Sequence, residues 1–202
     1  MVTVYIARPP QVTRSAAPTC RGKSWDQLNR LPLDLWRALL ADDETVTRYH
    51  EKVHRRPAGC WYWVGAISDS GHGRLRAGTR LADPERPGSH VVASHVFGYQ
   101  LSRGVLRPGP DGHLPLIRHS CDEASCHRPR HWLTGTVEDN AKDYQARVHA
   151  PGSPLTDSRG PRGRAVAIRD AIIRARALGL DIEAAIWSAS VAGLPAIADP
   201  LW

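Results

Sequence analysis

The sequence predicts an α+β fold: a small antiparallel β-ribbon and a cross-linked loop, flanked by helices at both ends. Three observations carry that reading. Segments near residues 61–65 and 72–77 alternate with a period of two, as strands do. Residues 24–55 and 164–192 recur instead at helical spacing. Between them runs a polar loop in which Cys121, Cys126 and His131 stand five residues apart.

Taken in order, residues 1–23 are dotted with Pro and Arg and read as an irregular basic arm carrying Arg8, Arg14, Arg21 and Lys23. Ser24 suits the cap of a first helical turn containing Asp26. Pro32 suits the start of a second helix, with Leu33, Trp36, Leu39 and Leu40 on one face. Asp42 to His54 is a more polar helical segment, and Pro57 to Gly59 breaks it. Trp61, Trp63 and Gly65 then alternate with Tyr62 and Val64 as a strand. Turn residues Ser68 to Gly73 lead into a returning strand, His72 to Ala77, with Arg74 and Arg76 on one face and Leu75 and Ala77 on the other.

Leu81–Gly88 and Gly104–His113 are Pro-containing loops. Val91 to Leu101 between them reads as a short helix or a strand passing into one. Leu114 to Arg118 is a strand that delivers His119, and Trp132 to Thr134 is its partner. Gly135-Thr136 turns the chain into a helix over Val137–Val148. Ala150 to Gly163 is a linker by composition. Arg164 to Leu178 is a helix with Ile168, Ile172 and Ala175 on one stripe and Arg162, Arg169 and Arg176 on another, stopped by Gly179. Ile182 to Ala192 is a last helix, and the pair is either an appendage or packing around the core. The divisions are therefore 1–56, an N-terminal arm and helices; 57–149, the patterned core; and 150–202, a linker with C-terminal helices.

With 202 residues and 42% hydrophobic content the chain can build one domain with sizeable flanks. No apolar run is long enough to span a bilayer, and Met1 to Pro10 lacks the apolar centre of a signal peptide. The expectation is a cytoplasmic, reducing setting without a membrane partner, where four Cys are better explained by metal than by disulfides. A net charge of +7 fits a polyanionic partner.

Two thiolates and an imidazole in a tight, Pro-containing loop suit tetrahedral Zn²⁺. A metal held there ties down a loop that has no core of its own. His119, two residues before Cys121, is either a further ligand or an imidazole held rigidly beside the loop, as a general base needs to be. The thiols left to complete the site are Cys60 and Cys20.

The pattern His119-x-Cys121-x4-Cys126-x4-His131, followed nine residues later by Asn140, resembles the ββα-metal (His-Me finger) nucleases. It is most similar to the His-Cys box homing endonucleases and the zinc-binding branch of the HNH endonucleases. Cys60-Trp61-Tyr62-Trp63-Val64-Gly65 looks like that branch's Cys-Trp-x-Trp-x-Gly opening, and Gly71-His72-Gly73-Arg74 is similar to its Gly-Tyr-Gly-Arg strand. Ser94-His95-Val96 looks like its Ala-His-Arg helix, with Val96 where Arg is usual. The resemblance spans about residues 58–148.

The resemblance implies a ββα-metal core with a structural Zn²⁺ on Cys60, Cys121, Cys126 and His131. It makes His119 the general base and Asn140 a ligand of a catalytic Mg²⁺ or similar divalent cation. Arg74 or Arg76 would touch the scissile phosphate, and Arg74, Arg76, Arg128 and Arg130 would lie against double-stranded DNA. A two-stranded ribbon with one basic face fits a major groove. Arg128-Pro129 stands where the family has Asn-Pro, so Arg128 either tunes the loop or touches DNA. Arg118 precedes His119 where some HNH enzymes carry Asp as a second metal ligand. Asp139 and Asp143 read as solvated helix residues, His127 as a neighbour of the zinc loop, and His95 as a packing residue.

The function expected is thus a metal-dependent endodeoxyribonuclease, acting as a homodimer if both strands are cut. The alternatives are a zinc-stabilised DNA-binding module without cleavage and a structural zinc protein acting through protein partners.

Overall fold

A computed structural model describes residues 31–195 other than 82 and 111. The basic arm, the turn predicted at Ser24 and Cys20 lie outside the described residues. Those described form a mixed α+β fold with six α-helices and three small antiparallel sheets.

Helix α1 (Leu33–Ala41) starts after Pro32 and buries Trp36 and Leu39, leaving Leu33 at the surface. Helix α2 (Asp43–Glu51) is capped by Asp42, whose carboxylate accepts from the Thr45 amide at 3.1 Å and its hydroxyl at 2.6 Å. The same carboxylate pairs with Arg86 at 2.8 Å. The polar helix expected to reach His54 ends earlier, because Val53 and His54 turn extended as strand β1 (Val53–His54).

Strand β1 pairs with β2 (Tyr62–Trp63). A second sheet holds β3 (Ala66–Ile67), β4 (Gly73–Ala77) and β5 (His90–Ala93) in that order. This corrects the expected ribbon of residues 61–65 against 72–77. Tyr62 and Trp63 point to opposite sides and both are buried, Trp63 in the main core with Trp36, Tyr49, Phe97 and Trp132, and Tyr62 against Ile168, Ile172 and Ile186. A strand covered on both faces belongs between layers, not on a half-wet ribbon. Strand β4 alternates as expected: Arg74 and Arg76 face solvent while Leu75 and Ala77 are buried.

Strand β5 runs directly into α3 (Ser94–Arg103), the second of the two readings for that segment. The third sheet is the hairpin of β6 (Leu116–His119) and β7 (Trp132–Gly135), with His119 opposite Trp132. Helix α4 (Val137–Arg147) follows, opened by a capping box between Thr136 and Asp139.

Residues 150–163 are a packed connection and not a free linker. Pro154–Thr156 form a 3₁₀ turn, Ser153 and Asp157 are buried, and Asp157 takes ion pairs from Arg159 and Arg164. Helix α5 (Gly160–Leu178) begins inside that segment and ends at Gly179, whose left-handed φ of 64° suits the position. Helix α6 (Ile182–Val191), capped by Asp181, packs along α5, and α5 also touches β2 and β3. The C-terminal helices therefore pack around the core. Among the described residues no helix is long and apolar enough to cross a membrane.

Candidate functional site

The β6–β7 hairpin closes the loop of residues 120–131, and β2 lies beside it. The Trp63 amide donates to the Ser125 carbonyl at 3.0 Å and the His127 amide to the Trp61 carbonyl at 2.7 Å. That pairing carries Cys60, at the foot of β2, to the loop's cysteines. The ligand atoms of Cys60, Cys121, Cys126 and His131 all lie within 4.8 Å of one another, a group able to hold a metal ion such as zinc. His131 Nδ1 is 3.4 Å from the Cys126 sulfur and 3.7 Å from that of Cys60. Tetrahedral Zn²⁺ with bonds of about 2.3 Å to sulfur and about 2.0 Å to nitrogen sets those atoms about 3.6 Å apart. The donor set and its spacing thus fit zinc.

Electrostatics among the thiols favour one early thiolate. Hydrogen bonds from Cys126 and Cys60 hold the Cys121 thiol far below its usual range. Hydrogen bonding to Cys121 pushes the Cys60 thiol well up, and Cys126 is raised chiefly by the same neighbour. A divalent cation reverses that repulsion and accommodates all three as thiolates.

His119, at the end of β6, lies against this loop. Its Nε2–H donates to the Cys126 carbonyl at 3.1 Å, and the Trp132 indole donates to the same oxygen at 3.2 Å. A carbonyl only accepts, so the proton sits on Nε2 and Nδ1 carries the lone pair. Burial holds His119 below the ordinary imidazole range, partly offset by the nearby Cys121 thiolate. The ring is therefore neutral at pH 7 and its Nδ1 is able to accept a proton.

Asn140 is exposed in the first turn of α4. Its neighbouring carboxylates are engaged by the chain itself. Asp139 accepts from the Thr136 amide at 2.9 Å, and Asp143 pairs with Arg118 at 2.5 Å and with Arg147 at 3.5 Å. The expectation that Asp139 and Asp143 are merely solvated gives way to these pairings. Asp122, whose φ of 55° is tolerated by Asp, accepts both arms of Arg147 at 2.8 and 2.9 Å.

Arg74 and Arg76 project from the sheet's open face, Arg76 reaching the Ser89 hydroxyl at 3.1 Å, and Arg130 is exposed. Arg128 works within the fold: it donates to the carbonyls of Gly59 at 2.6 Å and Pro57 at 3.2 Å and lies over the Trp61 ring. It thereby fastens the segment that carries Cys60. His127 is buried, donating to the Ser125 carbonyl at 3.0 Å, accepting from the Ser94 hydroxyl at 2.8 Å and stacking on Trp63. It supports the loop from behind. His95 is 1% exposed, in keeping with a packing residue.

Two features went unread in the sequence. One is the buried Arg164–Glu123 pair, 2.8 Å, which joins α5 to the metal loop. The other is the clustering of His72 and His95 with His119, their ring centroids 4.6 to 5.7 Å apart. Only the Gly-x-Gly around His72 hinted at a close approach there. Comparison with family models, with curated proteins and with solved structures finds no match for this chain.

Proposed function

We propose that the chain is a metal-dependent DNA endonuclease of the ββα-metal kind, with a structural zinc on Cys60, Cys121, Cys126 and His131. The observation that carries this is the bond from His119 Nε2 to the Cys126 carbonyl, which anchors the imidazole to the metal loop and leaves Nδ1 basic. The hairpin-then-helix order of β6, β7 and α4 supports it, with Asn140 in the first turn after the hairpin.

In this reading His119 Nδ1 takes the proton from a water that attacks the phosphodiester. The neutral ring, fixed by Cys126 and backed by Trp132, needs no reorientation to do so. With four protein ligands the zinc site has no open position, so it serves as scaffold. Near Asn140 the oxygen donors are sparse, since Asp139 and Asp143 are engaged. A hard cation such as Mg²⁺ there would draw on the Asn140 amide oxygen, phosphate oxygens and water. When bound it supplies charge relief on the phosphate and the departing 3′ oxygen. Arg74 and Arg76 offer the positive face along which a duplex would lie. Plasmid nicking that requires both added Mg²⁺ and Asn140 tests this; nicking that persists in Asn140→Ala contradicts it.

A second reading, a zinc-stabilised DNA-binding module without cleavage, has one specific support. Arg118 stands where an acidic metal ligand is found in some of the resembling enzymes, and it occupies Asp143. That reading predicts salt-sensitive DNA binding without turnover.

A further inference from the structure

A row of arginines beside the metal loop is left without counter-charge. Elsewhere among the described residues Arg56, Arg86, Arg118, Arg147 and Arg164 each pair with Asp or Glu. Arg55, Arg103 and Arg128 meet backbone carbonyls, aromatic rings and one histidine instead of a carboxylate. Arg130, next to them in the loop, is exposed and pairs with no described carboxylate.

Trp61 is the post that fixes two of them. Its indole N–H donates to the Arg56 carbonyl at 2.9 Å, and the guanidinium carbons of Arg55 and Arg128 lie 5.3 and 5.9 Å from its ring centroid. Arg55 also meets His50 Nδ1 at 2.9 Å. One residue after Arg128, the Pro129 carbonyl accepts from Arg103 at 3.2 Å, and the Arg103 guanidinium lies 5.6 Å from the Tyr99 ring centroid. The contacts thus run unbroken from Arg55 through Trp61 and Arg128 to Arg103. Arg55 and Arg103 are exposed, while Trp61, Tyr99 and Arg128 are half-buried. A guanidinium carries five N–H groups and the fold uses one or two on each of these three, so donors remain for an outside acceptor. Side chains already held in place lose little freedom when that acceptor arrives.

From this preorganised and uncompensated row we infer that the metal loop bears a second DNA contact besides Arg74 and Arg76 of β4, in which Arg55, Arg103 and Arg130 hold backbone phosphates. The forked guanidinium matches the paired oxygens of a phosphate. Cations fixed on backbone carbonyls suit a polymer whose charges recur at set intervals better than the mobile side chains of an acidic protein. Phosphate contacts carry no base readout, so this one is independent of sequence. Arg128 lies two residues from Cys126, whose carbonyl accepts from His119. A strand held here is gripped on the same loop that anchors the candidate base. The choice of DNA rests on the endonuclease reading.

The test is the affinity of the zinc-loaded protein for two labelled duplexes of unrelated sequence and for polyglutamate, over a salt series without added Mg²⁺. Wild type is compared with the triple variant Arg55→Ala, Arg103→Ala, Arg130→Ala and with Arg130→Glu, each with zinc content and urea midpoint measured. The triple variant is expected to bind both duplexes roughly 100-fold more weakly near 0.1 M salt, with the slope of log affinity against log salt lowered by about 3. Zinc content and midpoint stay those of wild type. Affinity within about threefold of wild type with an unchanged slope overturns the inference. A loss confined to one duplex overturns it as well, since the row would then be reading bases. So does a loss of polyglutamate binding with DNA binding intact, which marks an acidic protein as the partner. Should the triple variant lose zinc or unfold, Arg130→Glu decides: about tenfold weaker binding to both duplexes supports the inference, and wild-type affinity overturns it. Wild type that binds no duplex at low salt overturns this inference and the endonuclease reading together. Wild type that binds through the row but does not cut when Mg²⁺ is added overturns that reading alone.

Discussion

The backbone carbonyl of Cys126 accepts a hydrogen bond from Nε2 of His119 at 3.1 Å, while the sulfur of the same residue lies 3.4 Å from Nδ1 of His131. One residue thus belongs both to the ligand cluster and to the support of the candidate base. Whatever holds the sulfur in place also holds the imidazole. The scaffold and the chemistry of the proposed site are in this sense one structure.

Removing the metal should therefore undo more than the metal site. The binding free energy of a closed zinc knot, on the order of 10 kcal/mol in small zinc domains, is also folding free energy. Chelation, or Cys126→Ser, is expected to abolish zinc retention and to expose the amides of residues 120–131 to hydrogen exchange. Helices α1 and α2, which have their own core contacts, should keep more of their protection. Uniform loss across the chain would show that the loop is not a separate metal-dependent unit.

The contact between Glu123 and Arg164 makes α5 a support for the same loop. Both side chains are buried, and Arg164 also meets Asp157 at 3.2 Å and the Ser190 carbonyl at 2.6 Å. Burial pushes the Glu123 carboxyl up and Arg164 opposes it. Removing the cation alone strands buried charge, so Arg164→Met should cost about 3–5 kcal/mol in urea unfolding. The double variant with Glu123→Gln should recover part of that cost. Equal destabilisation by single and double variants would mean that the pair does not couple the helix to the loop.

Stability should also depend on pH through His95. Burial, with the neighbouring His72, His119 and His127 adding to it, holds its pKa well below 6.5 in the folded chain. As pH falls below about 6.5 the unfolded chain gains a proton there that the folded chain refuses, so stability present above that pH is progressively lost. One such group contributes a slope of about 1.4 kcal/mol per pH unit. His95→Asn should flatten the slope by about that amount between roughly pH 6 and pH 5 in zinc-containing buffer. Zinc loss affects both proteins alike, so equal slopes would show that His95 takes up its proton in the folded state.

The exposed pair on β4 is expected to act on affinity and not on the folded state. Arg74→Ala with Arg76→Ala should weaken binding to any duplex and lower the slope of log affinity against log salt by about 2, for two lost phosphate contacts. An unchanged salt slope would place the duplex elsewhere on the surface.

How much of this was legible beforehand varies with the range of the interaction. The His119 to Asn140 stretch could be read because its ligands are close in sequence and its loop is closed by adjacent strands. Cys60 was reached only through resemblance, since the pairing of Trp61 and Trp63 with Ser125 and His127 spans more than sixty residues. Alternation marks Trp61–Gly65 as a strand but suggests the wrong partner, residues 72–77; β2 pairs with Val53–His54 instead, and its two successive buried residues place it between layers. Residues 150–163 have the composition of a linker, yet Asp157 and Arg164 anchor them. The three-histidine cluster was invisible because His72, His95 and His119 come from three segments far apart in the sequence, the turn before β4, α3 and β6.

The most direct test of the account is the single-turnover cleavage rate of His119→Ala on supercoiled DNA with Mg²⁺, with bound zinc measured in the same samples. The account predicts a rate about 100- to 10,000-fold below wild type at equal zinc content. Cleavage at the wild-type rate, or a loss of zinc that accounts for the whole loss of activity, would contradict it.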